Sequence, residues 1–177
     1  QWLSNAVAFE WSPSGDSVAA LNVIPGDPSP RAQLLMAAPD GSSVRTLANW
    51  PDISYGSVAW GADGEHVYFR GLPPDSTDGP AIARVAVGGA FPEILYRGDI
   101  GFSVMLSGGS DRLFFFRRTD SRWEIARLDL VDGDIGRVEL PPETLEPATI
   151  ACSTDGTMLV VPDAARTLWQ VNLGEGT

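Results

Sequence analysis

One phrase recurs four times along the chain, and it constrains the fold more than any other feature. "WSPSGDSVAAL" begins at residue 11, "WGADGEHVYFR" at 60, "LSGGSDRLFFF" at 106 and "CSTDGTMLVVP" at 152. The anchors Trp11, Trp60, Leu106 and Cys152 stand 49, 46 and 46 residues apart. A turn glycine follows three of them, as Gly15, Gly64 and Gly156, with Ser110 in the third copy. Three residues further on come Val18, Val67, Leu113 and Leu159, and after another two come Ala20, Phe69, Phe115 and Val161. That period of two marks a strand whose apolar side is buried. Asp63-Gly64 and Asp155-Gly156 are strong turn dipeptides, because glycine accepts the positive φ such turns need.

A second phrase interleaves with the first. "QLLMAAPDG", "AIARVAVGG", "EIARLDLVDG" and "LWQVNLGEG" each run into a glycine, and "VRTL", "PEIL" and "GRVEL" follow three of them as further strands. No stretch carries a capped pattern of helical period. Four short strands per repeat of about 45 residues is the signature of a β-propeller blade, whose two exposed faces are buried only by neighbouring blades. The expected fold is therefore all-β: one propeller domain over 1–177, with blades near 5–49, 50–98, 99–143 and 144–177. The fourth repeat stops where its outermost strand should begin. Residues 1–4, "QWLS", read like that strand, with Leu3 in the place held by Leu47, Leu95 and Leu140. Either they close a four-bladed ring, or the ring is larger and is completed by more chain or another copy. The chain opens on Gln1 instead of Met, which reads as a processed or partial chain.

The bulk numbers narrow the function. The chain has 177 residues, is 44% hydrophobic and includes 19 Gly and 14 Pro, which fits a globular, turn-rich domain. No apolar run approaches the roughly 20 residues of a membrane helix. Its net charge is −11, and all 12 basic residues are Arg. A surface this acidic repels phosphate backbones, which argues against nucleic acid as a partner. One Cys and one His exclude an intramolecular disulfide, a cysteine-based zinc site and a multi-histidine metal site.

The repeats resemble the TolB-like, WD40-like (PD40) propeller repeat, whose usual pattern is F-x-W-S-P-D-G-x-x-I/L-A-F. Trp11, Ser12, Pro13 and Gly15 match it in the first blade, Trp60, Asp63 and Gly64 in the second, and Ser153, Asp155 and Gly156 in the fourth. The third departs, with Leu106 for Trp and Gly109-Ser110 for Asp-Gly, and Ser14 replaces the Asp of the first. The resemblance implies that Trp packs between blades, that Ser and Asp hold backbone amides and that Gly makes the turn. It also implies an extracytoplasmic, bacterial setting: such repeats occur in periplasmic translocation proteins, in gating propellers of prolyl-oligopeptidase-like peptidases and in cell-surface and sensor proteins.

No catalytic constellation emerges, and no cofactor or metal is expected. A triad needs a base, and His66, beside Glu65 past a turn, reads as an idle surface residue. No G-x-S-x-G elbow occurs, and "GGS" and "GG" lack the following helix of a phosphate cradle. "DGSS" and "DSTDG" carry oxygen ligands but lack the spaced carboxylates of a calcium loop, so Asp75 to Asp78 would coordinate a cation only weakly. Cys152, on an innermost strand, reads as a small core residue. What remains is the loop face. Trp50 in "NWPDISYG" reads as a loop residue between blades, and the same face would carry Asp52, Tyr55, Arg70, Arg97, Arg117 and Arg118. Aromatic and Arg side chains together suit a protein interface. The stiff loops "PGDPSPR" and "GLPPDSTDG" would dock at low entropic cost. The expected function is a non-catalytic module that binds a protein partner or further blades, with self-association open. The alternative is the accessory propeller of a prolyl-oligopeptidase-like serine peptidase whose catalytic chain lies elsewhere. A third reading is a small-molecule sensor using the central channel.

Overall fold

The computed structural model describes residues 5–26, 31–51, 58–74, 76–106, 111–120, 122–140, 150–153, 157–163 and 167–173, with 102–106 described by backbone alone. These residues are strands and turns without a helix. They form two compact units, Gln1–Gly98 and Asp99–Thr177, each holding two successive antiparallel sheets.

The first unit begins with β1 (Ala6–Trp11), β2 (Val18–Ile24), β3 (Arg31–Ala37) and β4 (Val44–Trp50), paired in chain order. Its second sheet is β5 (Val58–Trp60), β6 (His66–Gly71), β7 (Ala81–Ala86) and β8 (Glu93–Arg97), again in chain order. This up-and-down order follows from turns too short to let a strand cross its neighbour. Register decides which side chains meet. Trp11 pairs with Val18 and Phe9 with Ala20, so those four share one face, while Glu10 and Ala19 share the other. On that second face Ala19, Leu21 and Leu34 pack against Trp60, Val67 and Phe69 of the next sheet. Blades thus bury each other face to face, as the repeat spacing predicts.

The second unit holds β9 (Ile100–Leu106), β10 (Arg112–Thr119), β11 (Arg122–Asp129) and β12 (Ile135–Val138) in one sheet. The other contains β13 (Ala151–Cys152), β14 (Met158–Pro162) and β15 (Leu168–Asn172), three strands among the described residues. The run Leu113–Phe116 on β10 is buried throughout, which fits a strand covered on both faces. Phe114, Phe116 and Ile125 pack against Leu159 and Val161, with Cys152 partly buried beside them. The closing role assigned to residues 1–4, the third-blade turn at 107–110, and Asp155 and Gly156 all lie outside the described residues.

The repeat phrase makes the turn between the first and second strands of each sheet. Gly15 and Gly64 sit at φ 74° and 67°, a region closed to most side chains, and each N–H donates to the carbonyl three residues back. In the first sheet Ser12 is buried, and its hydroxyl accepts the Ser17 N–H at 3.0 Å. In the fourth, Ser153 Oγ accepts the Met158 N–H at 2.9 Å. The second sheet has Gly61 at that position, and Asp63 takes over: its Oδ1 accepts the Glu65 and His66 N–H groups at 2.9 and 3.2 Å.

Candidate functional site

Strand direction sorts the loops of each sheet onto two edges. In the first unit β2, β4, β6 and β8 end on one edge, where β3 and β7 begin; in the second unit β10 ends where β11 begins. These loop edges, each taken within its own unit, carry the residues expected at an interface, but burial divides them. Asp52 and Tyr55 lie outside the described residues.

Trp50 is a correction. It is the last residue of β4 and not a loop residue, and it is buried. Its ring meets Phe69 of the second sheet edge-on, with centroids 4.8 Å apart and planes at 65°. A large aromatic gains more from that contact than from solvent at the rim. Arg70 is a second correction. It lies within β6 and is buried, where a loop position was expected. Arg117 lies inside β10 and is tied down: its Nε donates to Glu124 Oε1 at 2.6 Å, one rung across on β11. Arg137 Nε approaches the other oxygen of Glu124 at 3.4 Å. Arg97, at the end of β8, is exposed, and its Nη1 donates to Ser76 Oγ at 3.0 Å. Arg118 is exposed on β10, and its backbone N–H donates to the Asp99 carbonyl at 2.8 Å.

The loop edge of the first unit also holds a cleft of about 220 Å³ lined by Arg31, Asn49, Trp50, Pro51 and Pro74. Neither Arg31 nor Asn49 is among the interface residues expected from sequence, although both lie in the loops quoted there. The signal for Arg31 was its place at the end of "PGDPSPR", directly before an apolar run. The cleft joins one face of a buried Trp to an exposed guanidinium, an amide and two rigid prolines. That combination suits a polar or acidic peptide surface better than a small apolar ligand.

The opposite edge carries the repeat-motif residues. His66 is not idle there: its Nδ1 lies 2.7 Å from Asp63 Oδ2. Partial burial pushes the Asp63 pKa up, but the hydrogen bonds from His66 and from backbone amides outweigh it and hold the carboxyl below its usual range. The expectation that both anchor tryptophans pack between blades holds for one of them. Trp60 is 6% exposed, whereas Trp11 is 52% exposed. Its sheet packs on the second sheet through the face that Trp11 does not share. Between Glu10 and Trp60 the first unit holds a half-buried clasp. The Trp60 indole Nε1 donates to the Glu10 carbonyl at 3.0 Å, and its backbone N–H donates to Glu10 Oε2 at 3.2 Å. Burial pushes the Glu10 carboxyl up to about 7, and the Trp60 bond pulls back only in part. Among the described residues, no group of three or more His, Cys, Asp or Glu side chains could hold a metal ion.

No protein-family model matches the chain, and no curated protein matches it. Solved structures do. TolB from Acinetobacter baumannii superposes with a TM-score of 0.69, covering 92% of this chain and 40% of its own, at 17% identity. A chain from a nidogen/laminin complex gives 0.70 over 98% of this chain and 61% of its own, at 14% identity. A puromycin-hydrolysing peptidase of Mycobacterium tuberculosis gives 0.67 over 99% of this chain and 28% of its own, at 20% identity. The chain therefore spans less than two thirds of each of these structures. Likeness at such identities is one of fold, and the fold is a β-propeller built of four blades.

Proposed function

We propose that this chain is a propeller module without chemistry of its own that binds a protein partner through its loop edge. The observation that carries the reading is the cleft of Arg31, Asn49, Trp50, Pro51 and Pro74, on the edge that also bears Arg97. Arg and aromatic side chains in one concavity are the usual anchors of protein interfaces. On a chain of net charge −11 these guanidiniums are a local reversal of sign, which favours an acidic partner surface and orients its approach. The non-catalytic part rests on what the polar groups already do. His66 is engaged by Asp63, and the hydroxyls of Ser12 and Ser153 hold turn amides. The resemblance to TolB-type repeats adds an extracytoplasmic, bacterial setting. No helix among the described residues is long and apolar enough to cross a membrane.

Charge reversal tests this reading. Arg97→Glu should weaken partner binding at least about tenfold, as loss of an interfacial anchor does, while the thermal midpoint stays put. A partner that binds Arg97→Glu and Arg31→Glu as tightly as the parent chain contradicts it.

The likeness to the puromycin-hydrolysing peptidase favours a second reading, an accessory propeller that gates a serine peptidase. The nucleophile would then lie on chain outside this sequence. A G-x-S-x-G strand-turn-helix in the gene beyond Thr177 supports this second reading, and further blades followed by a stop codon remove it.

A further inference from the structure

The cleft on the loop edge of the first unit encloses about 220 Å³ between Arg31, Asn49, Trp50, Pro51 and Pro74. That size limits what can enter. One turn of a helix, about 10 Å across and 5.4 Å long, fills roughly 400 Å³, and pockets for small molecules begin near 300 Å³. The space is too small for either and suits a single side chain of a partner.

Charge and lining decide which side chain. Arg31 opens β3, and Asn49 and Trp50 close β4, with Gln33 opposite Asn49 and Ala32 opposite Trp50. Side chains alternate along a strand, so Arg31 and Asn49 share one face while Trp50 packs from the other. Among the described residues no carboxylate lines the cleft, and Arg31, which is exposed, makes no ion pair. Other guanidiniums of the chain do find carboxylates: Arg84 meets Glu93 at 2.7 Å, and Arg117 meets Glu124 at 2.6 Å. Arg97 does not line the cleft, and its Nη1 already donates to Ser76 Oγ at 3.0 Å. Arg31 is therefore the cation at the cleft, with the Asn49 amide as a second donor beside it. The remaining walls, Trp50 and the two prolines, are apolar and suit methylene groups. Glutamate brings two methylenes to them where aspartate brings one.

We infer that, given the recognition role proposed for the loop edge, the cleft takes the side chain of one glutamate of the protein partner. Its carboxylate sits between the Arg31 guanidinium and the Asn49 amide, and its methylenes lie against Trp50, Pro51 and Pro74. A guanidinium fork meets a carboxylate through two parallel bonds, which fixes orientation as well as charge. An uncharged isostere of the same shape loses that pair and leaves Arg31 unmatched, so the cleft discriminates glutamate from glutamine.

The test is an NMR titration of the whole chain with tripeptides blocked at both ends. Blocked Ala-Glu-Ala should shift the Asn49 side-chain amide and Arg31 Nε signals saturably at millimolar concentration. Blocked Ala-Gln-Ala should bind at least about tenfold more weakly. Arg31→Gln should cost the glutamate peptide a similar factor, while signals far from the cleft stay in place and show that the variant is folded. Glutamate and glutamine peptides that bind alike overturn the inference, and so does a cleft whose signals neither peptide moves. Tighter binding of Ala-Ala-Ala with a free C-terminus also overturns it, by assigning the cleft to a chain end. None of these results touches the recognition role of the loop edge, which falls only when a protein partner ignores both Arg31→Glu and Arg97→Glu.

Discussion

Trp60 shows how much one residue can carry. It fills the space between two sheets, and its indole N–H is satisfied by a backbone carbonyl. Trp60→Ala should cost roughly 3–5 kcal/mol, the usual penalty for emptying a buried aromatic site, read as a shift in the denaturant midpoint. A loss below about 1 kcal/mol would mean the ring does not bridge the blades. Glu10, its partner, gives a pH signature. Its folded pKa stands near 7, above the ordinary 4.5. Between those values the folded chain holds a proton that the unfolded chain has released, so stability falls as pH rises across that window. Glu10→Gln should keep the bond from the Trp60 N–H and remove the fall, so the variant gains on the parent chain as pH rises towards 8. Parallel pH–stability curves for the two proteins would contradict this. The residue scale is also where the sequence was least legible. Trp11 and Trp60 have the same local pattern and opposite exposure, because burial is decided by a sheet about 50 residues away. Arg70 and Arg117 read like Arg97 in the sequence, but only strand register reveals that Glu124 faces Arg117.

Strands and turns were the most legible elements. Period two, the turn glycines and the Asp-Gly dipeptides are local signals, and local geometry answers them directly. Gly15 and Gly64 show why: at φ 74° and 67° the cost of a side chain is set by the backbone, with no neighbour within 4 Å of an added Cβ. Gly15→Ala should therefore lose about 1 kcal/mol or slightly more through strain alone, and Gly15→Asn less, since Asn tolerates this region. Equal stability of the two variants would remove the strain argument. The serine of the turn is a separate contribution. Ser153→Ala leaves the Met158 N–H without its hydroxyl acceptor and should cost on the order of 1 kcal/mol in thermal unfolding. The loop edge was legible as a place but not in its membership. Composition pointed to Trp and Arg, but Arg31 and Asn49 join Trp50 only because β3 starts where β4 ends.

At the scale of the molecule, the proposed function divides the work of the first unit between its parts. The facing sheet surfaces and Trp60 hold its two blades together. The loop edge would then be left for recognition. The two edges can be compared within one sheet, because Arg97 ends β8 on the loop edge while Phe91 is exposed in the turn before it, on the other edge. The most direct measurement replaces either residue with a photocrosslinking amino acid and asks which captures a protein partner. The account predicts a discrete crosslinked species from position 97 that is absent from position 91 and lost with Arg31→Glu. Capture from position 91 alone, or equally from both, would contradict the assignment of recognition to the loop edge.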